Sequence, residues 1–406
     1  MNLDNLEVLS PAGSFESLRA AVDYGADAVY LGGQSFGMRA GPENFTYDSL
    51  KAAVEFAHSK GVKIYLTCNT LPRNSEIPHF RQFMEEADDC DVDAVIVADL
   101  GLLSLVKEYC PDMEVHMSTQ TGIVNYVTAR ELYNMGVKRV VVARELSLEE
   151  IAEIRAKTPA DLDIEAFVHG AMCVSFSGRC LLSQYLVNRD ANRGECAQPC
   201  RWSYSLMEET RKGEYYPIAE DSSGTYILNA KDLCMIEHLD KVAKAGVTSL
   251  KIEGRAKSSY YVSVVTNAYR MAVDILKQDQ DNYKLPQWVR DEVFKVSHRP
   301  YCTGFFFGHP KDCQYYESSG YIREYDVAAI VDECKCGYLY CTQRNKFLKG
   351  DEVEILSPGK NCDTLRVEEL YNGDGEPIES ANHAMMKLRI PCEKEYPPNS
   401  IIRIKK

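Results

Sequence analysis

The 406-residue chain has no run of about 18 uncharged apolar residues, the length that a membrane-spanning helix needs. Its best apolar stretch, residues 94–106, carries Asp99, so no contact with a membrane is expected. The first six residues include Asp4 but no basic residue, which is unlike a secretory signal. These absences predict a cytoplasmic protein.

Positive charge is also scarce, with 46 Lys and Arg against 60 Asp and Glu, which gives a net charge of −14. Such a surface repels phosphate backbones and argues against broad coating of nucleic acid, although a local basic site stays compatible with it. No Gly-x-Gly-x-x-Gly follows the first predicted strand, which weakens a dinucleotide-binding domain. The zinc-peptidase motif His-Glu-x-x-His is absent as well.

Short β-branched runs alternate with amphipathic stretches through the first 255 residues, a pattern typical of parallel strands joined by helices. Helices end repeatedly in a glycine just before the next strand, at Gly25, Gly61, Gly136 and Gly246. Eight strands are predicted, at Glu7–Ser10, Ala28–Leu31, Lys63–Thr67, Ala94–Ala98, Glu114–Ser118, Arg139–Ala143, Ile164–Val168 and Ser249–Ile252. Because eight strands close a (β/α)8 barrel, we expect a TIM-like α/β barrel, with a doubly wound open sheet as the alternative.

The connection before the eighth strand is much longer than the others and contains five of the 15 cysteines. In a barrel this connection lies on the catalytic face, so the thiols are expected over the barrel mouth. We predict a barrel at residues 1–296 with a Cys-rich insertion at 171–248, a connecting arm at 297–319, and a small all-β, barrel-like domain at 320–406. The strands predicted in this last domain are Val327–Val331, Tyr338–Thr342, Glu352–Leu356, Arg366–Leu370, Met386–Ile390 and Ile401–Ile404.

The clustered cysteines are Cys173, Cys180, Cys196, Cys200 and Cys234. Thiolates are soft ligands, and four of them suit zinc or a [4Fe–4S] cluster. The chain has no Cys-x2-Cys, the spacing by which one tight turn presents two ligands to zinc, so the dispersed thiols favour an iron–sulfur cluster. Two alternatives remain: buried core cysteines, and a single nucleophilic cysteine assisted by His169.

Two neighbouring motifs resemble the signature of the collagenase-like peptidase family of unknown catalytic type. They are Glu165-x-Phe167-x-x-Gly170-x-x-Cys173 and Gly178-x-Cys180-x-x-Ser183. Supporting matches lie at Leu9–Gly13, Gly25–Tyr30, Arg144–Ser147, Lys251–Arg255 and His298–Gly308, so the resemblance covers nearly the whole chain. The long form with an appended β domain is most similar to the branch that is required for prephenate-dependent 5-hydroxylation of the wobble uridine in tRNA.

This resemblance implies a [4Fe–4S] cluster on Cys173, Cys180, Cys196 and Cys234, with Cys200 as an alternative ligand. It also implies tRNA and the dicarboxylate prephenate as partners, together with an electron-donor protein. The family name keeps a collagenase-like peptidase as an alternative, although no nucleophile with a base stands out. A non-catalytic RNA-binding scaffold is the third hypothesis.

Charged residues follow several of the predicted strands, where barrel enzymes keep their chemistry. Arg144, Glu145, Glu165, His169 and Glu253 are the candidate catalytic residues, with Glu165 and Glu253 as acid or base groups. The candidate substrate-binding residues are His116, Gln120, Lys251, Arg255, Arg201 and Trp202. Arg144 or Arg255 would bind a carboxylate, while Arg201 and Trp202 would contact RNA phosphate and base. The alternatives are a buried ion-pair network between strands, hydrogen-bonded core histidines and a solvated basic loop.

Overall fold

The structure is a computed structural model that describes residues 3–38, 43–172, 182–189, 195–199, 219–221, 224–226, 230–308, 313 and 321–406. Within these residues no helix is long and apolar enough to cross a membrane. The helices, in chain order, are α1 (Phe15–Asp23), α2 (Tyr47–His58), α3 (Ile77–Asp89), α4 (Leu100–Tyr109), α5 (Tyr126–Asn134), α6 (Leu148–Ala156), α7 (Leu182–Val187), α8 (Leu239–Lys244), α9 (Ser259–Gln278) and α10 (Gln287–Glu292). Short 3₁₀ helices lie at Thr119–Thr121 and Ile236–His238.

Parallel strands close the first domain into a barrel, which confirms the predicted TIM-like fold. The barrel strands are β1 (Glu7–Pro11), β2 (Ala28–Gly32), β3 (Lys63–Cys68), β4 (Ala94–Val97), β5 (Glu114–Met117), β6 (Arg139–Val141), β7 (Asp163–Ala171) and β11 (Ser249–Ile252). Between β7 and β11 lie three short strands that are not barrel strands: β8 (Ala219–Asp221) and β9 (Gly224–Tyr226), which pair antiparallel with each other, and β10 (Asp232–Cys234). β11 is the eighth barrel strand, because it pairs in parallel with both β1 and β7. An open doubly wound sheet has no such closing pair.

Local sequence signals determine where the helices begin and end. Ser147 accepts a hydrogen bond from the Glu150 amide while the Glu150 carboxylate accepts from the Ser147 amide, a capping box at the start of α6. The four glycines predicted to end helices all have positive φ, at +95° for Gly25, +73° for Gly61, +88° for Gly136 and +94° for Gly246. The alternation of helix and strand therefore follows from the residues that stop each helix.

β7 continues beyond the barrel. Its last residues pair antiparallel with β10, so that Cys234 lies opposite His169. The pairing of β7 with β11 shifts register between Phe167 and His169, which is a bulge that turns the following side chain to the other face. The start of the cysteine insertion is thus joined to the barrel by the extended end of β7 and by β10.

The C-terminal domain is an antiparallel all-β half-barrel. After β12 (Tyr301–Cys302), which pairs with β10, its strands are β13 (Tyr325–Lys335), β14 (Tyr338–Gln343), β15 (Phe347–Leu348), β16 (Glu352–Leu356), β17 (Asp363–Arg366), β18 (Tyr371–Asn372), β19 (Ser380–Ala381), β20 (Lys387–Pro391) and β21 (Ile401–Lys405). Seven of them form one sheet in the order β17-β16-β21-β13-β14-β20-β18. The predicted strand at Arg366–Leu370 is wrong: β17 ends at Arg366, and Val367 and Leu370 lie in the irregular connection to β18. Both side chains are buried in the core, and this burial gave the segment the apolar pattern of a strand.

Buried ion pairs and hydrogen bonds join the two domains. The Arg403 guanidinium donates to both carboxylate oxygens of Glu292, at 2.8 and 2.7 Å. The Tyr24 hydroxyl donates to the carbonyl of Leu356 at 3.2 Å and to that of Asn399 at 3.1 Å. These contacts hold the half-barrel beside the barrel and leave a cleft between the two.

Candidate functional site

A small cavity of about 70 Å³ lies at the mouth of the barrel, where the carboxyl ends of the strands meet. Five of the predicted site residues line it: Gln120, Arg144, Lys251, Glu253 and Arg255. Thr67, Asn69, Ser118 and Thr119 add neutral polar groups from the ends of β3 and β5. The structure therefore brings together three cations and one carboxylate at this end of the barrel.

Arg255 is a buried cation held in a fixed direction at the mouth. Its guanidinium donates to the Thr67 hydroxyl at 2.7 Å and to the Asn44 side-chain oxygen at 3.2 Å. A Cβ atom at Gly32 would lie 2.7 Å from a terminal nitrogen of this guanidinium, so the glycine makes room for it. Sequence reasoning missed Thr67, Asn44 and Gly32, although Gly32 and Thr67 could have been found as small or polar residues at strand ends.

Arg144 connects the mouth with the start of the cysteine insertion. It donates to the carbonyl of Ala171 at 2.7 Å, and its other terminal nitrogen lies 3.6 Å from a Glu253 carboxylate oxygen. Its guanidinium carbon is 3.8 Å from the centre of the Phe167 ring. The neighbouring Glu145 is half-buried but is not among the described residues that line the mouth cavity.

Below the cavity, Lys251 belongs to a buried ion-pair network. Its ammonium donates to Glu165 at 2.5 Å, and Glu165 also lies 3.3 Å from Arg139. Arg139 donates to Glu7 at 2.6 Å, and Glu7 further accepts from Tyr65 and Ser249 at 2.6 and 2.7 Å. Burial alone raises the pKa of Glu7, but Arg139 and the hydrogen bonds outweigh it, so that pKa is lowered.

Glu165, predicted as a candidate acid or base, belongs to this buried network. Glu165 is the third of the nine residues of β7 and is fully buried in the network with Arg139 and Lys251. It does not line the mouth cavity. Glu165 and the Lys251 ammonium therefore form part of a buried ion-pair network between strands, which was one of the alternatives. Arg144, Glu253 and Arg255 lie at the open end of the barrel instead.

The two candidate histidines also lie away from the mouth cavity. His116 is buried near the base of the barrel, 2.8 Å from a Glu114 oxygen and edge-on to Tyr65, and burial with nearby Arg139 holds its pKa well below the usual value. His169 lies beyond the bulge, where its ring nitrogens are each 3.4 Å from the hydroxyls of Tyr269 and Tyr301. Burial lowers the pKa of His169 to about 3. Both rings are therefore neutral near pH 7.

Two of the candidate ligand thiols are described. Cys234 is half-buried on β10, and burial raises the pKa of its thiol to about 11. Cys196 is exposed in the cleft, and neither cysteine is in a disulfide. Unbridged thiols can serve as thiolate ligands of an iron–sulfur cluster, because metal binding displaces the thiol proton. Cys173, Cys180, Cys200, Arg201 and Trp202 lie outside the described residues.

A larger cleft of about 1070 Å³ runs between the barrel rim and the half-barrel. Glu253 lines both the mouth cavity and this cleft, so the two spaces adjoin. Six basic residues line the cleft: Arg19, Arg189, Lys257, Arg323, Arg344 and Lys387. Against them stand the carboxylates of Glu16, Glu253, Asp326 and Asp332. The cleft is therefore locally basic in an acidic molecule.

Comparison with known proteins identifies related chains. Residues 13–315 match the family described as Peptidase family U32, and residues 323–403 match the Peptidase family U32 C-terminal domain. The chain is 36% identical to tRNA hydroxylation protein P1 of Bacillus subtilis over 98% of this chain and 94% of that protein. It is 43% identical to an uncharacterized protease of Methanocaldococcus jannaschii, over 94% of this chain and 95% of that one. It is also 36% identical to the 23S rRNA 5-hydroxycytidine C2501 synthase of Escherichia coli, over 91% of this chain and 52% of that protein.

Proposed function

Since the chain belongs to peptidase family U32, we propose that it is an RNA-modifying enzyme that hydroxylates C5 of the wobble uridine in tRNA with the help of a [4Fe–4S] cluster. Two of the relatives reported above are named for RNA hydroxylation, which supports the class of reaction. The observation that carries the proposal here is the barrel mouth, where Arg144 and Arg255 line a cavity that opens past Glu253 into a basic cleft.

The mouth suits a small carboxylate. Guanidinium groups bind carboxylates through paired hydrogen bonds, and Arg255 is already fixed in direction by Thr67 and Asn44. A cavity of about 70 Å³ is smaller than the pockets that enclose whole ligands. One carboxylate of a dicarboxylate such as prephenate would occupy the mouth, and the rest of the molecule would extend past Glu253 toward the cleft.

Glu253 is the group placed to exchange a proton with a bound substrate. Glu253 lines both spaces, and its carboxylate lies 3.6 Å from Arg144. Arg144 and Arg255 would orient the carboxylate ligand, and the half-barrel wall of the cleft would help to exclude water. Cys234 and Cys196 would hold the cluster together with other cysteines of the insertion, and the cluster would supply electron transfer.

A peptidase is the second candidate, since one relative is named a protease. The segment Gly33–Gly37 does have the spacing Gly-x-Ser-x-Gly, which sequence reasoning overlooked. Its Ser35 is exposed on a loop that reaches α2 only at Tyr47, whereas a nucleophile elbow runs directly from strand to helix. Among the described residues no serine or cysteine is hydrogen-bonded to a histidine. These observations count against a peptidase.

The test is nucleoside mass spectrometry of tRNA from a strain that lacks this protein, complemented with the wild type or with variants. We expect the wild type to restore 5-hydroxyuridine and Cys234→Ser to fail. The control is Cys336→Ser, because Cys336 is an exposed thiol in the half-barrel. Unchanged tRNA in the deletion strain, or cleavage of gelatin by cluster-free protein, would reject the proposal. Loss of the visible iron–sulfur absorbance in Cys234→Ser alone would support the ligand assignment.

A further inference from the structure

We propose that Lys257 and Arg323 form a binding site for a backbone phosphate of single-stranded RNA on the rim of the cleft. The inference rests on the proposed function, because it names how the RNA substrate would be held beside the mouth. It requires no chemistry from either residue.

The two side chains converge on one residue from different parts of the chain. Lys257 follows the eighth barrel strand, and its ammonium donates to the Ser297 carbonyl at 3.3 Å. Arg323 precedes the half-barrel, and its Nε donates to the Ser297 hydroxyl at 3.2 Å. Both line the cleft, and Arg323 is exposed. The two cationic groups therefore lie side by side at Ser297, on the lining of the cleft.

Their charges are uncompensated within the described residues. Arg344 and Lys387, on the same cleft, form ion pairs with Glu16 at 3.4 Å and Asp332 at 3.0 Å. Lys257 and Arg323 have no carboxylate at salt-bridge distance in the described ranges. Two neighbouring cations repel one another, and a bound anion would relieve this repulsion. In a chain with a net charge of −14, such a pair stands out as an anion site.

An aromatic ring restricts the position of Lys257. The centre of the Tyr321 ring is 4.2 Å from the Lys257 ammonium and 4.5 Å from the guanidinium carbon of Arg299. Arg299 is buried and lies 4.0 Å from Asp232, so its charge is already balanced. The cation–π contact with Tyr321 therefore holds the Lys257 ammonium at the rim, where it is available to a phosphate.

The location favours RNA over an acidic peptide. Lys257 lies four residues after Glu253, and its amide donates to the Gly254 carbonyl at 2.8 Å in the turn that carries both. A phosphate held here would place the attached nucleoside beside the mouth cavity. The adjoining cleft of about 1070 Å³ has room for a nucleotide. Backbone contacts of this kind position RNA without reading its sequence.

The experiment compares wild-type protein with the double variant Lys257→Gln, Arg323→Gln. The probes are two single-stranded RNA oligonucleotides, one uridine-rich and one adenosine-rich, titrated at several salt concentrations. We expect about tenfold weaker binding, by the same factor for both sequences. The slope of log affinity against log salt should fall by about 0.7, the contribution of one phosphate contact on a single strand. The matched control is Lys60→Gln, Lys63→Gln, which removes two exposed charges at the opposite end of the barrel.

Unchanged affinity and slope in the double variant would overturn the inference, as would equal losses in the control or no RNA binding by the wild type. Competition by polyglutamate but not by RNA would assign the site to an acidic protein. Competition by inorganic phosphate at the same concentration as RNA would assign the site to free phosphate. Either result would also overturn the inference. Thermal unfolding of each variant separates binding from misfolding. If RNA binding behaves as expected but no 5-hydroxyuridine forms in cells, the proposed function fails while this site stands.

Discussion

At the amino-terminal end of the barrel interior, Arg139 lies between Glu7 and Glu165, and every charged group there has a partner of opposite sign. At the carboxyl end, Arg144 and Arg255 line a cavity that opens toward the cleft. Both ends of the barrel contain basic and acidic residues, but they differ in which of these charged groups remain available to a ligand. A charge that is buried and paired stabilises the barrel, and a charge that faces a cavity is available to a ligand.

The same substitution at each end should separate these roles most strongly. Glu7→Gln removes the carboxylate nearest to Arg139, at 2.6 Å, and leaves that guanidinium with Glu165 at 3.3 Å and Asp163 at 3.5 Å. We therefore expect a loss of about 3 kcal/mol in the free energy of unfolding, the low end for a broken buried ion pair. Glu253→Gln removes a half-buried carboxylate with an ion pair at 3.6 Å and should cost about 1 kcal/mol or less. Urea unfolding measures both. Equal losses would contradict the distinction between the two ends.

The buried end should also respond to acid. The pKa of Glu7 lies below the ordinary value of 4.5, so its stabilisation is present above that pH and is lost as the pH falls through the lowered value. The difference in unfolding free energy between wild type and Glu7→Gln should therefore be constant near neutrality and shrink below about pH 4.5. Urea unfolding at a series of pH values tests this. A difference that persists in strong acid would mean that Glu7 stabilises by packing rather than by charge.

Sequence patterns predicted the architecture well because each barrel strand is short, apolar and followed by a helix with a glycine stop. They predicted Arg144, Glu253 and Arg255 at the mouth for the same reason, since these residues directly follow strands. They left open whether Glu165, inside the predicted strand Ile164–Val168, is an acid or base or belongs to a buried ion-pair network, because its partners Arg139 and Lys251 come from other strands. They also ended β7 at Val168, because its extension to Ala171 depends on pairing with β10, a long-range contact that leaves no local signal.

His169 shows a second limit of sequence reasoning. Regular alternation along β7 places residues 165, 167 and 169 on one face, but the bulge after Phe167 moves His169 out of that series. Its ring then packs against Tyr261, Tyr269 and Tyr301. The assignment of the cysteine ligands remains a prediction, since three of the five candidates lie outside the described residues.

At the open end, Arg255→Gln should weaken binding of a dicarboxylate by about tenfold to a hundredfold. A hydrogen bond to a charged group contributes about 1.5–3 kcal/mol, and Arg255 is fixed toward the cavity before the ligand arrives. Isothermal titration with prephenate measures the change. Arg366→Gln is the control, because Arg366 is exposed in the half-barrel. Undiminished affinity in Arg255→Gln would remove the mouth from the substrate site.

The smallest effect is expected from Gly32→Ala, which tests whether the direction of Arg255 matters. The new methyl group would lie 2.7 Å from a guanidinium nitrogen, so the side chain must move away from Thr67. We expect a severalfold loss of dicarboxylate affinity with about 1 kcal/mol or less of destabilisation, because the displaced group is the flexible end of a side chain. In an Arg255→Gln background the same alanine should have no further effect on binding. An equal loss in both backgrounds would show that Gly32 acts on the cavity directly and not through Arg255.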